Sequence, residues 1–246
     1  MRILLISDIH ANFPALQAVE QFFHRHQFDY IINCGDSVVY APFPNETLQW
    51  LINKKTISIL GNTDKKVIKL LKGSTFEKPS DPEKRIMYSW TAENLTSGCS
   101  SFLQSLKKKT IVTLNSSANT NTNFSAIGVY HGSPARNHEF LFKSTENSRF
   151  QQLAEMTQCS IVVCGHSHSP FYKLIDTTHF INPGSIGRMF DSDPRASCAT
   201  IKIEGSKVVV NHYRIHYNVQ ETIDAIKRLG LPKIYGVMYR TGRKIN

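Results

Sequence analysis

Short apolar runs alternate with amphipathic stretches through the first third of the chain. Residues 2–7 (RILLIS) read as a strand. Residues 13–27 read as a helix, with Pro14 early and Leu16, Val19 and Phe23 on one face. Residues 29–34 and 56–60 are further strands, and 46–53 and 64–71 further helices. That alternation predicts βαβ units and a partly parallel sheet. Residues 73–108 break the pattern with "KPSDPEK" and helical stretches around 87–95 and 101–108, so a helical insertion is expected there. Beyond it the pattern turns to strands at 110–114, 124–130, 160–164, 170–175, 179–182, 196–203 and 207–215. The polar run 115–123 (NSSANTNTN) reads as a hairpin tip, and a last helix at 219–229 stops before Gly230 and Pro232. With no internal repeat and no linker, the expectation is one α/β domain over 1–246 containing two sheets.

Composition narrows this little. The 246 residues are 41% hydrophobic, enough for one full-sized core. No apolar run approaches the ~20 residues of a membrane helix, and "ILLI" is too short for a signal-peptide core, so a cytoplasmic protein is expected. The five cysteines are odd in number and include no CxxC pair; Cys34 and Cys164 lie in apolar runs. This favours a reducing compartment over a disulfide framework or a cysteine-bound zinc. The net charge of +10 points to an anionic partner. The basic residues are scattered and not interleaved with aromatics, so a small phosphorylated, nucleotide-like substrate is expected rather than a dedicated nucleic-acid interface. No feature specifies an oligomeric state.

Five motifs change the picture, because each directly follows a strand-like run: "SDIH" after RILLI, "GDSVVYAP" after YIINC, "GNTD" after TISIL, "HGSP" after FSAIGVY and "GHSH" after SIVVC. Ligands gather at the carboxyl ends of strands in open α/β sheets. Asp8, His10, Asp36, Asn62, His131, His166 and His168 can thus converge on one rim. Two carboxylates, an amide and four imidazoles suit Mn, Fe, Zn, Co or Ni better than Ca or Mg. Seven ligands exceed the needs of one ion and match two, with one carboxylate shared.

The ordered set "DIH…GDSVVYAP…GNTD…HGSP…GHSH" resembles the calcineurin-like metallophosphoesterases, in particular their compact bacterial and archaeal phosphodiesterase-type members. "NPGSIGR" (182–188) and "DPRAS" (193–197) strengthen that likeness. The resemblance implies two mixed β-sheets packed as a sandwich and flanked by helices, a four-layer αββα fold. It also implies a dinuclear centre of divalent transition-metal ions, Mn²⁺ foremost. Asp8, His10 and His168 would hold one ion, Asn62, His131 and His166 the other, and Asp36 would bridge them. Such a pair can clamp the attacking and leaving oxygens of a phosphoryl displacement, and the resemblance implies that a bridging hydroxide would attack phosphorus in line. Asp36, Asn62 and Asp64 are therefore expected in the catalytic set.

One position departs from the family. Many relatives read GNH, whose histidine contacts the phosphate and can protonate the leaving group; here that residue is Thr63. A threonine hydroxyl is no acid near neutral pH. Either the leaving group needs little protonation or another group supplies the proton; His138 is a candidate, with an ordinary loop histidine as the alternative. Asn12 could meet a phosphate oxygen or cap the first helix. Tyr40, Thr63 and Arg188 are candidate substrate contacts; Arg188 could bind a second phosphate or simply belong to a tight turn built by Pro183, Gly184 and Gly187. The expected function is a metal-dependent phosphodiesterase. A phosphatase or a dinucleoside polyphosphate hydrolase is the nearest alternative. A scaffold with catalysis weakened at Thr63 and a nuclease are the more distant ones.

Overall fold

Side chains alternate along strand β1 (Arg2–Ile6): Ile3 and Leu5 enter one apolar core, Leu4 and Ile6 another. A strand buried on both faces is what a parallel sheet covered by other layers requires. The computed structural model describes residues 1–76, 79–114, 124 and 126–245. After β1 come α1 (Phe13–Phe22), β2 (Tyr30–Asn33), α2 (Pro44–Asn53), β3 (Ile57–Ser58) and α3 (Asn62–Leu71). Two helices follow, α4 (Pro82–Asn94) and α5 (Ser97–Ser105), within the expected insertion. The second half contains β4 (Lys109–Thr113), β5 (Ala126–Tyr130), α6 (Asn147–Glu155), β6 (Ile161–Val163), β7 (Phe171–Ile175) and β8 (Thr178–Asn182). It closes with β9 (Ala196–Glu204), β10 (Lys207–Ile215), α7 (Val219–Arg228) and α8 (Lys233–Thr241).

The strands form two five-stranded mixed sheets, ordered β10-β9-β1-β2-β3 and β4-β5-β6-β8-β7. The first is parallel through β1, β2 and β3, with β9 antiparallel to β1. The second is parallel through β5, β6 and β8, with β4 and β7 antiparallel at its edges. Ile3, Leu5 and Ile32 of one sheet pack with Ile127, Ile161 and Ile181 of the other, so the sheets stack face to face. Leu16, Leu48, Ile226 and Tyr235 cover the outer face of the first sheet from helices α1, α2, α7 and α8. Phe150 and Leu153 of α6 cover the second over Val162 and Phe180. The result is the four-layer αββα arrangement.

Several expectations need correcting. Helix α1 ends at Phe22, so His24 and His26 lie beyond it; the His24 ring bonds the Gln21 carbonyl at 2.7 Å. Only two residues of 56–60 pair as β3. Helices α6 and α8 were not anticipated. Sequence NSRFQQLAE buries only Phe150 and Leu153, and KIYGVMYRT carries a glycine and β-branched residues that favour other structures. The expected hairpin tip at 115–123 lies outside the described residues. All five cysteines are buried and unpaired. No helix among the described residues is long and apolar enough to cross a membrane.

Candidate metal centre

Asp8 and His10 follow β1, Asp36 follows β2, His131 follows β5, and His166 and His168 follow β6; Asn62 opens α3 after β3. The carboxyl ends of both sheets therefore meet at one rim. Backbone bonds stitch the loops together: Asp8 N–H donates to the Gly35 carbonyl at 2.9 Å and Gly165 N–H to the His131 carbonyl at 2.8 Å. His166 N–H crosses from one sheet to the other and donates to Asp8 Oδ2 at 3.0 Å. The 183–188 turn is tied in as well, with Ser185 Oγ donating to the Asp8 carbonyl at 2.7 Å.

The candidate ligands fall into two groups, Asp8–His10–His168 and Asp36–His131–His166. His168 Nε2 lies 3.3 Å from Asp8 Oδ1 and 3.2 Å from His10 Nε2. His131 Nε2 lies 3.5 Å from Asp36 Oδ2 and 3.1 Å from Asn62 Oδ1. Asp36 Oδ2 is also 4.0 Å from His10 Nε2, so this carboxylate stands between the groups. The remaining ring nitrogens are fixed from behind: His131 Nδ1 bonds the Cys34 carbonyl at 2.8 Å and His168 Nδ1 bonds the Arg188 carbonyl. Such outer bonds orient a ligating imidazole.

Three facts fit these residues to bound cations. His166 Nε2 is a buried polar atom with no hydrogen-bond partner among the described residues, and Asp8 Oδ1 faces only His168 Nε2, which is costly unless something else binds them. Asp8, His10, Asp36, His166 and His168 all have φ between 51° and 65°. Left-handed backbone at non-glycine residues concentrates at functional sites. The donor set itself, carboxylate, amide and imidazole, is that of borderline transition metals.

Electrostatics agree. Burial pulls the His10 imidazole down to about 3 and His166 to about 4, so both are neutral and available as ligands near pH 7. Burial also pulls on His131, but the Asp36 carboxylate beside it outweighs this and raises it to about 9. Burial would raise Asp36 and Asp8; the facing imidazoles win, and both carboxyls sit below their usual range.

Glycines at two positions permit the close approach. A Cβ on Gly61 would stand 2.0 Å from Asp36 Oδ1, and one on Gly165 would stand 2.0 Å from Ser7 Oγ and 2.6 Å from Asp8 Oδ2. No side chain fits at either.

Not every expected site residue reaches the rim. Asp64 is buried, and its carboxylate accepts from the N–H groups of Ser37, Val38 and Gly61 at 2.9–3.1 Å. It ties the Asp36 loop to the start of α3 and does not line the cleft. Burial and the Asp36 carboxylate push it up to about 7, against the pull of those N–H donors. Asn12 is also fully buried: Nδ2 donates to the Gly187 carbonyl and Tyr217 Oη, and Oδ1 accepts from Thr222 Oγ1. It sits at the N-cap position of α1, but its side chain makes no capping bond there, because every polar atom of it is used elsewhere in the protein. Thr63 lines the cleft, but its hydroxyl donates to the Val38 carbonyl at 3.2 Å; its N–H fixes Asp36 Oδ1 at 2.8 Å. His138 is exposed and outside the cleft.

The cleft over the centre has a volume of about 240 Å³. Tyr40 and Arg188 line it, the Arg188 guanidinium lying 3.9 Å from the centroid of the Tyr40 ring. Sequence reasoning missed Lys66, Lys84, Tyr88, Phe140, Phe190 and Lys244, which line it too. Lys66 was findable, one helical turn beyond Thr63 on α3. Phe140 stacks on His166 at 4.2 Å and Phe190 on His168 at 4.5 Å; neither left a pattern in the sequence.

Comparison with known proteins gives a consistent answer. A metallophosphoesterase from Sphaerobacter thermophilus superposes with a TM-score of 0.76 at 26% identity, covering 98% of this chain and 99% of that one. A hypothetical protein from Pyrococcus horikoshii shares the fold, with a TM-score of 0.82 at 19% identity and 99% of each chain covered. An uncharacterised protein from Methanocaldococcus jannaschii is 26% identical over 98% of both chains. The model of the calcineurin-like phosphoesterase superfamily domain matches residues 1–206. With that match spanning every candidate ligand, the chain belongs to the calcineurin-like phosphoesterase superfamily, a family of metal-dependent hydrolases of phosphate esters.

Proposed function

We propose that this chain hydrolyses phosphodiesters of small, nucleotide-like molecules, using two divalent transition-metal ions with Mn²⁺ foremost. The observation that carries the reading is the position of Asp36: its Oδ2 lies 3.5 Å from His131 Nε2 and 4.0 Å from His10 Nε2, within reach of both ligand groups. Asp8, His10 and His168 would hold one ion, Asn62, His131 and His166 the other, and Asp36 would serve both. When bound, the ions supply Lewis acidity toward a phosphate oxygen and lower the pKa of water. The protein's part is orientation. Thr63 N–H and the Cys34 and Arg188 carbonyls fix the ligands, and Tyr40 and Arg188 form the wall against which the ester lies. Five buried, unpaired cysteines support a reducing, cytoplasmic location.

A panel of aryl phosphodiesters and the matching monoesters, assayed with added Mn²⁺, tests this. Faster turnover of the diesters is expected. Faster turnover of monoesters would make the chain a phosphatase. No turnover of any ester by metal-loaded protein would favour a binding role.

A further inference from the structure

Four cationic side chains from four separate parts of the chain line the cleft beside the candidate metal centre: Lys66 of α3, Lys84 of α4, Arg188 after β8 and Lys244 after α8. None makes an ion pair with a carboxylate among the described residues. Arg188 is the most telling. It is only 7% exposed, yet among the described residues its Nε has no hydrogen-bond partner and its one guanidinium bond is a weak 3.6 Å contact to Met238 Sδ. Its neighbours are aromatic faces, Tyr40 at 3.9 Å, Phe190 at 5.2 Å and Tyr235 at 5.6 Å. Stacking holds the planar group in place but uses none of its N–H donors. A buried cation without a counter-charge is expensive. Three of the four also crowd one another: burial, then the neighbouring Lys84 and Arg188, hold the Lys244 amine below its usual value.

We infer that Arg188, with Lys84 and Lys244, forms a subsite for a second phosphate group of the substrate, adjacent to the phosphoryl group held at the metal centre. The inference rests on the phosphoesterase reading of the same cleft. Tyr40 fixes the side on which the second phosphate lies. Its ring meets the His10 ring edge-on at 5.2 Å and carries the guanidinium on its face. The subsite thus adjoins the Asp8–His10–His168 half of the centre. A single diester carries one negative charge, too little to balance these cations beside the metals; a diphosphate-containing substrate balances them better. It also accounts for Thr63. In hydrolysis of a P–O–P link, the oxygen of one water joins the scissile phosphorus. The bridging oxygen leaves with the second phosphate and takes the bonding electron pair, and the protons pass to solvent. A phosphate leaving group is stable as an anion near neutral pH, so no histidine is needed at position 63 to protonate it.

The test compares a dinucleoside diphosphate with the matching dinucleoside monophosphate on the full-length, Mn²⁺-loaded protein. Wild type is expected to favour the diphosphate in kcat/KM. That preference should shrink about tenfold or more in Lys84→Ala and in Arg188→Met, the scale of one lost charge-assisted bond. A wild-type preference for the monophosphate, or a ratio unchanged in both variants, would overturn the subsite. Calorimetric titration with methylenediphosphonate, on protein freed of excess metal, reads the subsite without turnover. Binding should weaken in both variants, and equal affinity in all three proteins refutes it. Orthophosphate binding that weakens in the variants while the substrate ratio stays fixed would mean a site for free phosphate, also contradicting the inference. If neither nucleotide is cleaved, the phosphoesterase reading fails and the diphosphonate titration still decides the subsite.

Discussion

His166 N–H donates to Asp8 Oδ2 at 3.0 Å, so a carboxylate delivered by one sheet holds the ligand loop of the other. Ser7 Oγ donates to the same oxygen at 2.6 Å, which leaves Oδ1 to face the centre beside His168 Nε2. Asp8→Asn keeps the shape but replaces one acceptor with an amide N–H₂ that cannot accept from His166. Loss of at least one bound ion and a fall in kcat of about 10²-fold or more are expected, beyond the 10–100-fold typical of outer-shell changes. Metal analysis together with ester assays checks both. An Asp8→Asn protein with full metal content would separate this bond from the centre.

Gly61→Ala tests the close approach of α3 to Asp36. The added Cβ would collide with Asp36 Oδ1 and backbone N within 2.3 Å, and Asp36 is itself held by Thr63 N–H. Destabilisation of about 1–3 kcal/mol is expected from the overpacking, with metal affinity reduced alongside. Thermal denaturation with and without Mn²⁺ measures both effects, and a variant as stable as wild type would show that the loop yields freely.

Asp64→Asn distinguishes positioning from catalysis. The carboxylate accepts three backbone N–H bonds, and an amide nitrogen in place of one oxygen would face a donor. A loss of about 1–3 kcal/mol of stability is expected for an unsatisfied buried donor, with kcat falling only as far as the metal site loosens. The measurement is denaturant unfolding beside kcat at saturating Mn²⁺. Full stability with abolished kcat would instead give Asp64 a direct role in the reaction.

Metal affinity should depend on pH through the His131 imidazole. His10 and His166 are neutral near pH 7, whereas the imidazole of His131 is raised to about 9. A cation binds the deprotonated ligand. Below pH 9 a proton on His131 therefore competes with it, and affinity rises with pH. Competition titrations between pH 6.5 and 8.5 should show about a tenfold gain per pH unit. A flat profile would mean that the proton is not on this imidazole.

The absent acid predicts a steep dependence on the leaving group. Thr63 spends its hydroxyl on Val38, His138 is exposed outside the cleft, and the histidines that line it are all candidate ligands. Rates on a series of aryl phosphodiesters should drop as the leaving-group pKa rises. Thr63→His should recover the poorest leaving groups by up to about 10²-fold. Rates insensitive to leaving-group pKa would show that a proton donor is already present.

Much of this was legible in the sequence because each ligand sits immediately after an apolar run. The run RILLI fixes β1, and Asp8 and His10 then fall at its carboxyl end whatever the rest of the chain does. The same local logic exposes Asp36, His131, His166 and His168. It misjudged Asn12 and Asp64, since adjacency to a ligand does not say which way a side chain turns: both spend their polar atoms on loops that close the rim. It was blind to Lys84, Phe190 and Lys244, which reach the cleft only through long-range packing. Helix α8, which brings Tyr235 to the Arg188 guanidinium, had no periodicity strong enough to announce it.

The most direct measurement of the central claim is metal content per chain, by elemental analysis, for wild type and Asp36→Asn, with phosphodiester turnover measured on the same samples. Two transition-metal ions per wild-type chain are predicted. Asp36→Asn is expected to bind one or none and to lose turnover, because its carboxylate stands within reach of both ligand groups. A wild-type chain that hydrolyses esters with a single ion, or an Asp36→Asn protein that keeps two ions and full turnover, would contradict it.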